Sequence, residues 1–300
     1  MRNLRQARVA AVQIAFFSAS HEEEVWERLL ALAVEARKED AHLVLFPALT
    51  GLLPLRNLAG RDWRMDEGLR DLLWIWGLQL EETLMRWGRD MARWLDMYVC
   101  PGTVPVPGRG GLVNTCHLFN PQGDLVGKGF QAHVDRIEER LGFMGESVAP
   151  VLETDLGRVG FLAGTDSQVP EMGRILSLKG ADLLLAPQLG AGGYWSQLAG
   201  TWSQIQATQT WGLESFMLGD MGGWKLSGRA SVLGPCEATS GLSGILSQAD
   251  QSARDQVVSA VVDFGLLEKA REAFPIRRHM NPGFYRQHFP AAYSREEGSA

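Results

Sequence analysis

The chain has 300 residues, with 29 Lys and Arg against 35 Asp and Glu, and a formal net charge of −6 at pH 7. Hydrophobic residues make up 45% and charged residues 21%, which is typical of a globular protein. The acidic balance, without a basic cluster, argues against nucleic acid or an anionic membrane as a partner. No apolar stretch is long enough to span a bilayer. Three cysteines (Cys100, Cys116 and Cys236) form no disulfide framework, so the sequence predicts a cytoplasmic protein.

The first half of the chain alternates apolar runs with helical patterns. Charges and apolar residues at helical spacing predict an amphipathic helix over residues 22–39. Residues 62–96 predict two helical stretches, with Gly77 and Gly88 as weak points. This segment carries five tryptophans, which we expect to make a mixture of core and oligomer contacts. Strands are predicted at 8–15, 41–47 and 97–106, and a two-stranded hairpin with a tight "NPQGD" turn at 112–129.

The second half continues the alternation. Strands are predicted at 157–164, 181–187, 214–220, 228–235 and 256–264, and helices at 170–180, 199–211 and 266–274. An extended tail over 275–290 and a disordered end at 294–300 follow. Because the strands are almost continuously apolar, they indicate sheets covered on both faces, hence an α/β layered fold. We expect one domain over residues 1–300, with a core of about 8–264 and a C-terminal extension of 265–300.

Several segments, in a characteristic order, resemble the nitrilase superfamily of carbon–nitrogen hydrolases over residues 8–285. They are "VAAVQ" (9–13), "VNTCHLFNPQGDLVGK" (113–128) and "PEMGRILSLKGADLLLAP" (170–187). The resemblance implies a four-layer αββα sandwich that forms a homodimer or a higher homo-oligomer. It also implies a Glu–Lys–Cys triad, in which a thiolate attacks an amide or nitrile carbon, a carboxylate moves the proton, and an ammonium stabilises the oxyanion.

None of the three triad residues is present at its expected position. The family's Glu follows a "F-P" strand end, and this chain reads "LVLFPAL" with Ala48 there. The family's Lys lies two residues before a His, and "GKGFQAH" places Gln131 there. The family's Cys lies two residues before an Asp, and "GFLAGTD" places Gly164 there. Losing the nucleophile of a coupled triad alone typically costs on the order of 10⁶ in rate, so the sequence predicts an inactive homologue.

Other polar residues near these positions are candidates for a retained pocket. The resemblance implies a second glutamate after the lysine position, which Glu138 or Glu139 could supply, and we expect Glu139 to line the pocket. The remaining candidates are His133, Thr165, Asp166 and Gln188. Because no His pairs with Cys, Asp or Glu at ligand spacing on a clear helix, we expect neither a metal nor a cofactor.

Three functions remain open. The leading hypothesis is an inactive homologue that keeps its scaffold for binding a small molecule, for regulation or for assembly. The second is an amide or nitrile hydrolase with an unconventional nucleophile. The hydroxyls of Thr165 and Ser167 are candidates, but Ala48 removes the obvious base for them. The cysteines are better explained as small buried side chains with a structural role. The third is a structural partner of an active relative.

Overall fold

The computed structural model describes residues 4–190 and 198–294. Fourteen strands lie in this part of the chain: β1 Gln6–Ala15, β2 Leu43–Leu45, β3 Tyr98–Cys100, β4 Thr103–Pro107, β5 Leu112–Phe119, β6 Leu125–Phe130, β7 Leu152–Thr154, β8 Gly157–Phe161, β9 Leu183–Gln188, β10 Trp211–Met221, β11 Trp224–Leu226, β12 Ser231–Leu233, β13 Ile245–Gln248 and β14 Gln256–Asp263. The helices are α1 Glu22–Lys38, α2 Leu55–Ala59, α3 Glu67–Leu95, α4 Arg136–Arg140, α5 Pro170–Leu178, α6 Ser203–Thr208, α7 Phe264–Ala273 and α8 Pro282–Tyr293.

The central strands run parallel and place several strand ends at one edge. The main path of the sheet is β4-β5-β3-β2-β1-β10-β9-β8-β7, and β1 pairs in parallel with both β2 and β10. Strand β9 pairs in parallel with β10 and β8. The carboxyl ends of parallel strands meet at the same edge, which is where open α/β sheets place their ligand sites.

Strand β1 shows why the apolar runs are continuous. Its Ala10, Val12 and Ile14 pack into the core cluster that contains residues of α1 and α3. The alternate residues Val9 and Ala11 pack into a second cluster at the centre of the molecule. Because successive side chains of a strand point to opposite faces, both faces of β1 are covered.

Strand β9 repeats this arrangement on the other side of the molecule. Leu183 and Leu185 enter the central cluster, whereas Leu184 and Ala186 pack into a third cluster with residues of α5 and α6. The three clusters separate four layers, helix, sheet, sheet and helix. The predicted αββα sandwich is therefore confirmed.

Helix α3 corrects the prediction of two helical stretches, since it runs unbroken for 29 residues. Its two interior glycines mark close contacts rather than breaks. A Cβ on Gly77 would lie 2.8 Å from Pro107 Cδ, and one on Gly88 would lie 2.7 Å from Phe119 Cε2. The absence of a side chain at both positions lets the helix lie directly on β4 and β5. Of the helix's tryptophans, Trp87 is buried in the core.

The C-terminal tail also differs from its prediction. Residues 282–293 form helix α8 rather than an extended segment, with Pro282 at its first turn and the Asn281 side chain accepting from the Phe284 amide. The predicted disorder at 294–300 falls, apart from Ser294, outside the described residues. Within the part of the chain that the structure describes, no helix is both long and apolar enough to cross a membrane.

The other predicted elements are present with shifted limits, whereas β7, β11, β13, α2 and α4 were not predicted. The run at 97–106 divides into β3 and β4, and the apolar run at 41–47 is a strand only over its central three residues. The hairpin predicted at 112–129 is confirmed as β5 and β6.

Candidate functional site

The three positions that the family resemblance singled out lie together. Ala48 follows β2, Gln131 follows β6, and Gly164 begins a short 3₁₀ turn just after β8. Ala48 and Gln131 are buried, and both Ala48 and Gly164 line one pocket. A Cβ on Gly164 would lie within 2.8–3.1 Å of the amide atoms of Gln131. The strand ends thus bring the three residues to one place.

The pocket has a cavity volume of about 60 Å³. Room of this size admits several water molecules or a group of a few heavy atoms. The described residues that line it are Ala48, Leu49, Met65, Asn114, Asp135, Glu138, Leu141, Phe143, Gly164, Thr165, Gln168, Gln188, Leu189, Gly190, Phe216 and Trp224. Two of these are acidic, and none is Lys, Arg or His.

Gln131 is fixed by four hydrogen bonds. Its Nε2 donates to both carboxylate oxygens of Glu138 at 2.9 and 2.8 Å, and to the His133 carbonyl oxygen at 2.8 Å. Its Oε1 accepts from Asn114 Nδ2 at 2.8 Å. The side chain at the family's lysine position is therefore a neutral amide whose donors already have acceptors.

Glu138, rather than Glu139, is the glutamate at the pocket. Glu138 completes a capping box on α4: Asp135 accepts from the Glu138 amide, and Glu138 Oε2 accepts from the Asp135 amide at 2.9 Å. This back-bonding turns the Glu138 side chain toward Gln131. Glu139, one residue on and so about 100° around the helix, is exposed and does not line the pocket. Burial raises the pKa of the Glu138 carboxyl above its ordinary value, although the hydrogen bond from Gln131 opposes this.

Asp166 and His133 lie beside the pocket rather than in its lining. The buried Asp166 carboxylate accepts from the Ala132 amide, from the His133 amide at 2.8 Å and from His133 Nδ1 at 2.8 Å. The side-chain hydrogen bond to Asp166 raises the pKa of His133. Asp166 thus fixes the segment that carries Gln131, which gives it a positioning role in the site.

Thr165 and Gln188 do line the pocket. Thr165 Oγ1 donates to Glu138 Oε2 at 3.1 Å. Gln188 accepts from Ser167 Oγ at 3.2 Å and donates to the Leu162 carbonyl oxygen at 3.0 Å. Of the five predicted pocket residues, the structure places Thr165 and Gln188 in the lining, His133 and Asp166 behind it, and Glu139 on the surface.

Comparison with known proteins agrees with this arrangement of strands. The family model described as carbon-nitrogen hydrolase matches residues 8–222. The chain belongs to the carbon-nitrogen hydrolase family. An omega-amidase of Xenopus tropicalis is 24% identical over 212 residues, 65% of this chain and 72% of that protein. A chloroplastic omega-amidase of Arabidopsis thaliana is 23% identical over 213 residues, 65% of this chain and 54% of that protein.

Two solved structures share the fold. The carbon-nitrogen hydrolase of Helicobacter pylori superposes with a TM-score of 0.78 at 18% identity, covering 94% of this chain and 98% of that one. A mutant amidase from Nesterenkonia sp. AN1, whose active-site cysteine carries the acetamide moiety of fluoroacetamide, superposes with a TM-score of 0.70 at 19% identity. That likeness covers 91% of this chain and 97% of the amidase.

In this member of the carbon-nitrogen hydrolase family the cysteines lie away from the pocket. Cys100 and Cys116 are buried in the central core, where burial raises the pKa of Cys100 to about 12 and that of Cys116 well above its ordinary value. Cys236 is half-buried in a turn, and burial raises its pKa as well. Because the thiolate is the reactive form, none of the three is poised to act as a nucleophile.

Sequence reasoning missed three features of the site. Asn114 belongs to the "VNT" segment used for the family resemblance, yet its contact with Gln131 was not predicted. Leu49, next to Ala48, has a φ of 56°, which is strained for a residue with a branched side chain. Trp224, far along the chain from the tryptophan-rich segment, lines the pocket. Of these three, only Asn114 had a sequence signal, since it lies on β5, the predicted hairpin partner of the strand that leads into Gln131.

Proposed function

We propose that this chain is a catalytically inactive member of the carbon-nitrogen hydrolase family that retains its pocket for binding a small ligand. The observation that carries the proposal is the contact between Gln131 and Gly164, beside an alanine at position 48. The amide of Gln131 takes the room that a side chain on residue 164 would need. The nucleophile is thus missing and its space is reduced, a coordinated change rather than one isolated loss.

Each step of the family's chemistry lacks its group at this pocket. Ala48 cannot accept a proton, and Gly164 cannot attack carbon. No Lys, Arg or His occurs among the described residues of the lining, so no side-chain cation there would stabilise an oxyanion. The donors of Gln131 already face Glu138 and a carbonyl oxygen.

A second candidate function rests on the contact between Thr165 and Glu138. A hydroxyl at 3.1 Å from a buried carboxylate, which Gln131 orients, is the arrangement of a nucleophile with its base. This arrangement supports a hydrolase with an unconventional nucleophile. It ranks second because the same pocket supplies no cationic group to the developing oxyanion.

Turnover and covalent capture separate the two candidates. The purified chain is incubated with acetamide, propionamide, an ω-amide and a nitrile, and released ammonia is measured. Fluoroacetamide is then added and the intact mass recorded. We expect no ammonia above the level of a Thr165→Ala variant purified in parallel, and no added mass. Ammonia release that Thr165→Ala abolishes would instead establish the second candidate, whereas release at equal rates in both proteins would contradict both.

We also propose a homodimer, supported by exposed apolar side chains around a groove between α5 and α8. Ile175, Leu178, Phe289 and Tyr293 line this groove, which has a volume of about 670 Å³. Light scattering is expected to give a dimer mass for the wild type and a monomer mass for Leu178→Glu. Leu242→Glu, at an even more exposed leucine outside the groove lining, serves as the control and stays dimeric.

A further inference from the structure

The pocket carries negative charge without a neighbouring cation. Asp135 and Glu138 are its two acids, and the described lining contains no Lys, Arg or His. Asp135 accepts from the amides of the α4 first turn, so its charge is engaged by that helix. Glu138 is therefore the carboxylate that a ligand in the pocket meets.

Two acceptor atoms at the pocket have fewer donors than they can accept from. Glu138 Oε2 accepts from Gln131, Thr165 and the Asp135 amide, whereas Oε1 accepts from Gln131 alone among the described residues. Asn114 lines the pocket, and its Oδ1 is buried without a hydrogen-bond partner in the described chain. A buried acceptor without a donor is unfavourable, so both atoms favour a ligand rich in N–H groups.

The donors around Glu138 are already engaged. Asn114 Nδ2 donates to Gln131, Gln131 Nε2 donates to Glu138, and Thr165 Oγ1 donates to Glu138. Gln131 Nε2 and Thr165 Oγ1 therefore offer no further donor to a ligand carbonyl or carboxylate, and among the described contacts of these three side chains only the second N–H of Asn114 Nδ2 is left. An alkylammonium group carries donors and no acceptor, and so fits a site of this kind.

Aromatic rings complete the lining. Phe143, Phe216 and Trp224 border the pocket together with Met65. Ring faces attract a cation through their quadrupole, and together with the thioether they also take up the methyl or methylene groups that an organic ammonium carries. With a cavity volume of about 60 Å³, the bound group is small.

The geometry points to a small organic ammonium ion as the ligand of this pocket, held by Glu138 and Asn114 Oδ1 against the aromatic rings. This inference rests on the proposed function, because it assigns a ligand class to a pocket that carries out no hydrolysis. The expected ligand differs from the amides and nitriles on which the family's chemistry acts, because Gln131 leaves the pocket without the cation that the family's lysine would supply.

Calorimetric titration of the full chain tests the inference with ethylammonium, tetramethylammonium, propionamide and propionate, at constant ionic strength. We expect ethylammonium to bind the wild type, and propionamide and propionate not to bind. Tetramethylammonium has no N–H donors. If it binds more weakly than ethylammonium, the difference in affinity gives the contribution of the hydrogen bonds. Glu138→Gln is expected to weaken ethylammonium binding about thirty-fold or more, since it removes a buried charge partner. Glu139→Gln, the exposed neighbour, serves as the matched control and leaves affinity unchanged.

The wild-type series alone can overturn the inference, whether or not Glu138→Gln folds. Binding of propionamide without ethylammonium, or binding of neither, contradicts the ammonium assignment while the absence of turnover leaves the proposed function in place. Ammonia release from propionamide would instead contradict the proposed function. Ethylammonium binding that is equal in Glu138→Gln and Glu139→Gln would place the ligand elsewhere and also overturn the inference.

Discussion

The side-chain amide of Gln131 lies against the backbone of Gly164, where a Cβ on residue 164 would come 2.8 Å from Gln131 Oε1. Gly164 also has a φ of 54°, in the left-handed region. Two independent obstacles therefore oppose any side chain at this position. Restoring a cysteine here would require room to be made at residue 131 as well.

Gly164→Ala is expected to destabilise the protein more than the same substitution at a glycine that has a positive φ but no close neighbour. Gly60 is the matched control, because its φ is 65° and an added Cβ would meet nothing within 4 Å. Both variants lose about 1 kcal/mol from the left-handed backbone. Gly164→Ala loses about 1–3 kcal/mol more, because the new methyl group displaces Gln131. Urea unfolding measures the difference, and equal losses in the two variants would refute the displacement of Gln131.

Gly77→Ala and Gly88→Ala are each expected to destabilise the protein by about 1–3 kcal/mol, although alanine is the better helix former by about 1 kcal/mol. The reason is the approach of α3 to β4 and β5, where added Cβ atoms would lie 2.8 Å from Pro107 Cδ and 2.7 Å from Phe119 Cε2. In Gly283→Ala on α8 the new Cβ would meet no atom closer than 3.5 Å. That control should be neutral or slightly stabilising in thermal unfolding, and a similar gain in all three variants would contradict the close packing.

The fold could be predicted from the sequence only where a local pattern is compatible with a single structure. The alternating faces of β1 give a continuous apolar run, so the layered architecture was readable. The glycines of α3 were misread because a glycine at a tight contact and one at a helix break look identical in sequence. The tail was predicted to be extended, whereas residues 282–293 form a helix with Pro282 and Gly283 in its first turn.

The positions of site residues could be predicted where a sequence motif marks the end of a strand. They were harder to predict where the direction of a side chain depends on its position around a helix. Ala48, Gln131 and Gly164 lie together because each follows a strand of the sheet closely. The choice between Glu138 and Glu139 depended on the capping box with Asp135, and both residues fit the motif equally. The aromatic lining at Phe216 and Trp224 depends on contacts between distant segments, which no local pattern encodes.

The contact between His133 and Asp166 predicts a pH dependence of stability. The hydrogen bond to Asp166 raises the pKa of His133 from its ordinary 6.5, and the charge of Glu171 adds to this. The folded state therefore holds the imidazole proton more tightly than the unfolded chain does. The resulting stabilisation is full below pH 6.5 and is lost as the pH rises through the raised pKa.

Replacing His133 by Gln should make the free energy of unfolding less dependent on pH between about 6 and 9, since the titrating group is gone. Urea unfolding at several pH values measures this. His279→Gln, at an exposed histidine in a 3₁₀ turn, is the control and should keep the wild-type slope. A wild-type slope in His133→Gln as well would show that the ion pair does not drive the pH dependence.

A second ion pair, outside the pocket lining, ties α3 to the sheet and predicts sensitivity to acid. Glu81 Oε1 accepts from His117 Nε2 at 3.0 Å on β5 and from Lys128 Nζ at 2.8 Å on β6. The hydrogen bond from the fully buried His117 is the main cause that lowers the pKa of Glu81 to about 2, with Lys128 contributing and burial opposing. Because the pKa is lowered on folding, the stabilisation is full above pH 4.5 and is lost as the pH falls toward 2.

Glu81→Gln should therefore destabilise the protein at pH 7 by about 1–3 kcal/mol, the range for hydrogen bonds to a charged group. The deficit relative to the wild type should shrink as the pH falls below 4.5, since the wild type then loses the same charge. Glu82→Gln, at the exposed neighbouring residue of α3, should be nearly neutral throughout. Urea unfolding at pH 7 and at pH 3 measures the difference in the free energy of unfolding between the wild type and Glu81→Gln. If this difference is the same at both pH values, the carboxylate charge does not hold α3 to β5 and β6.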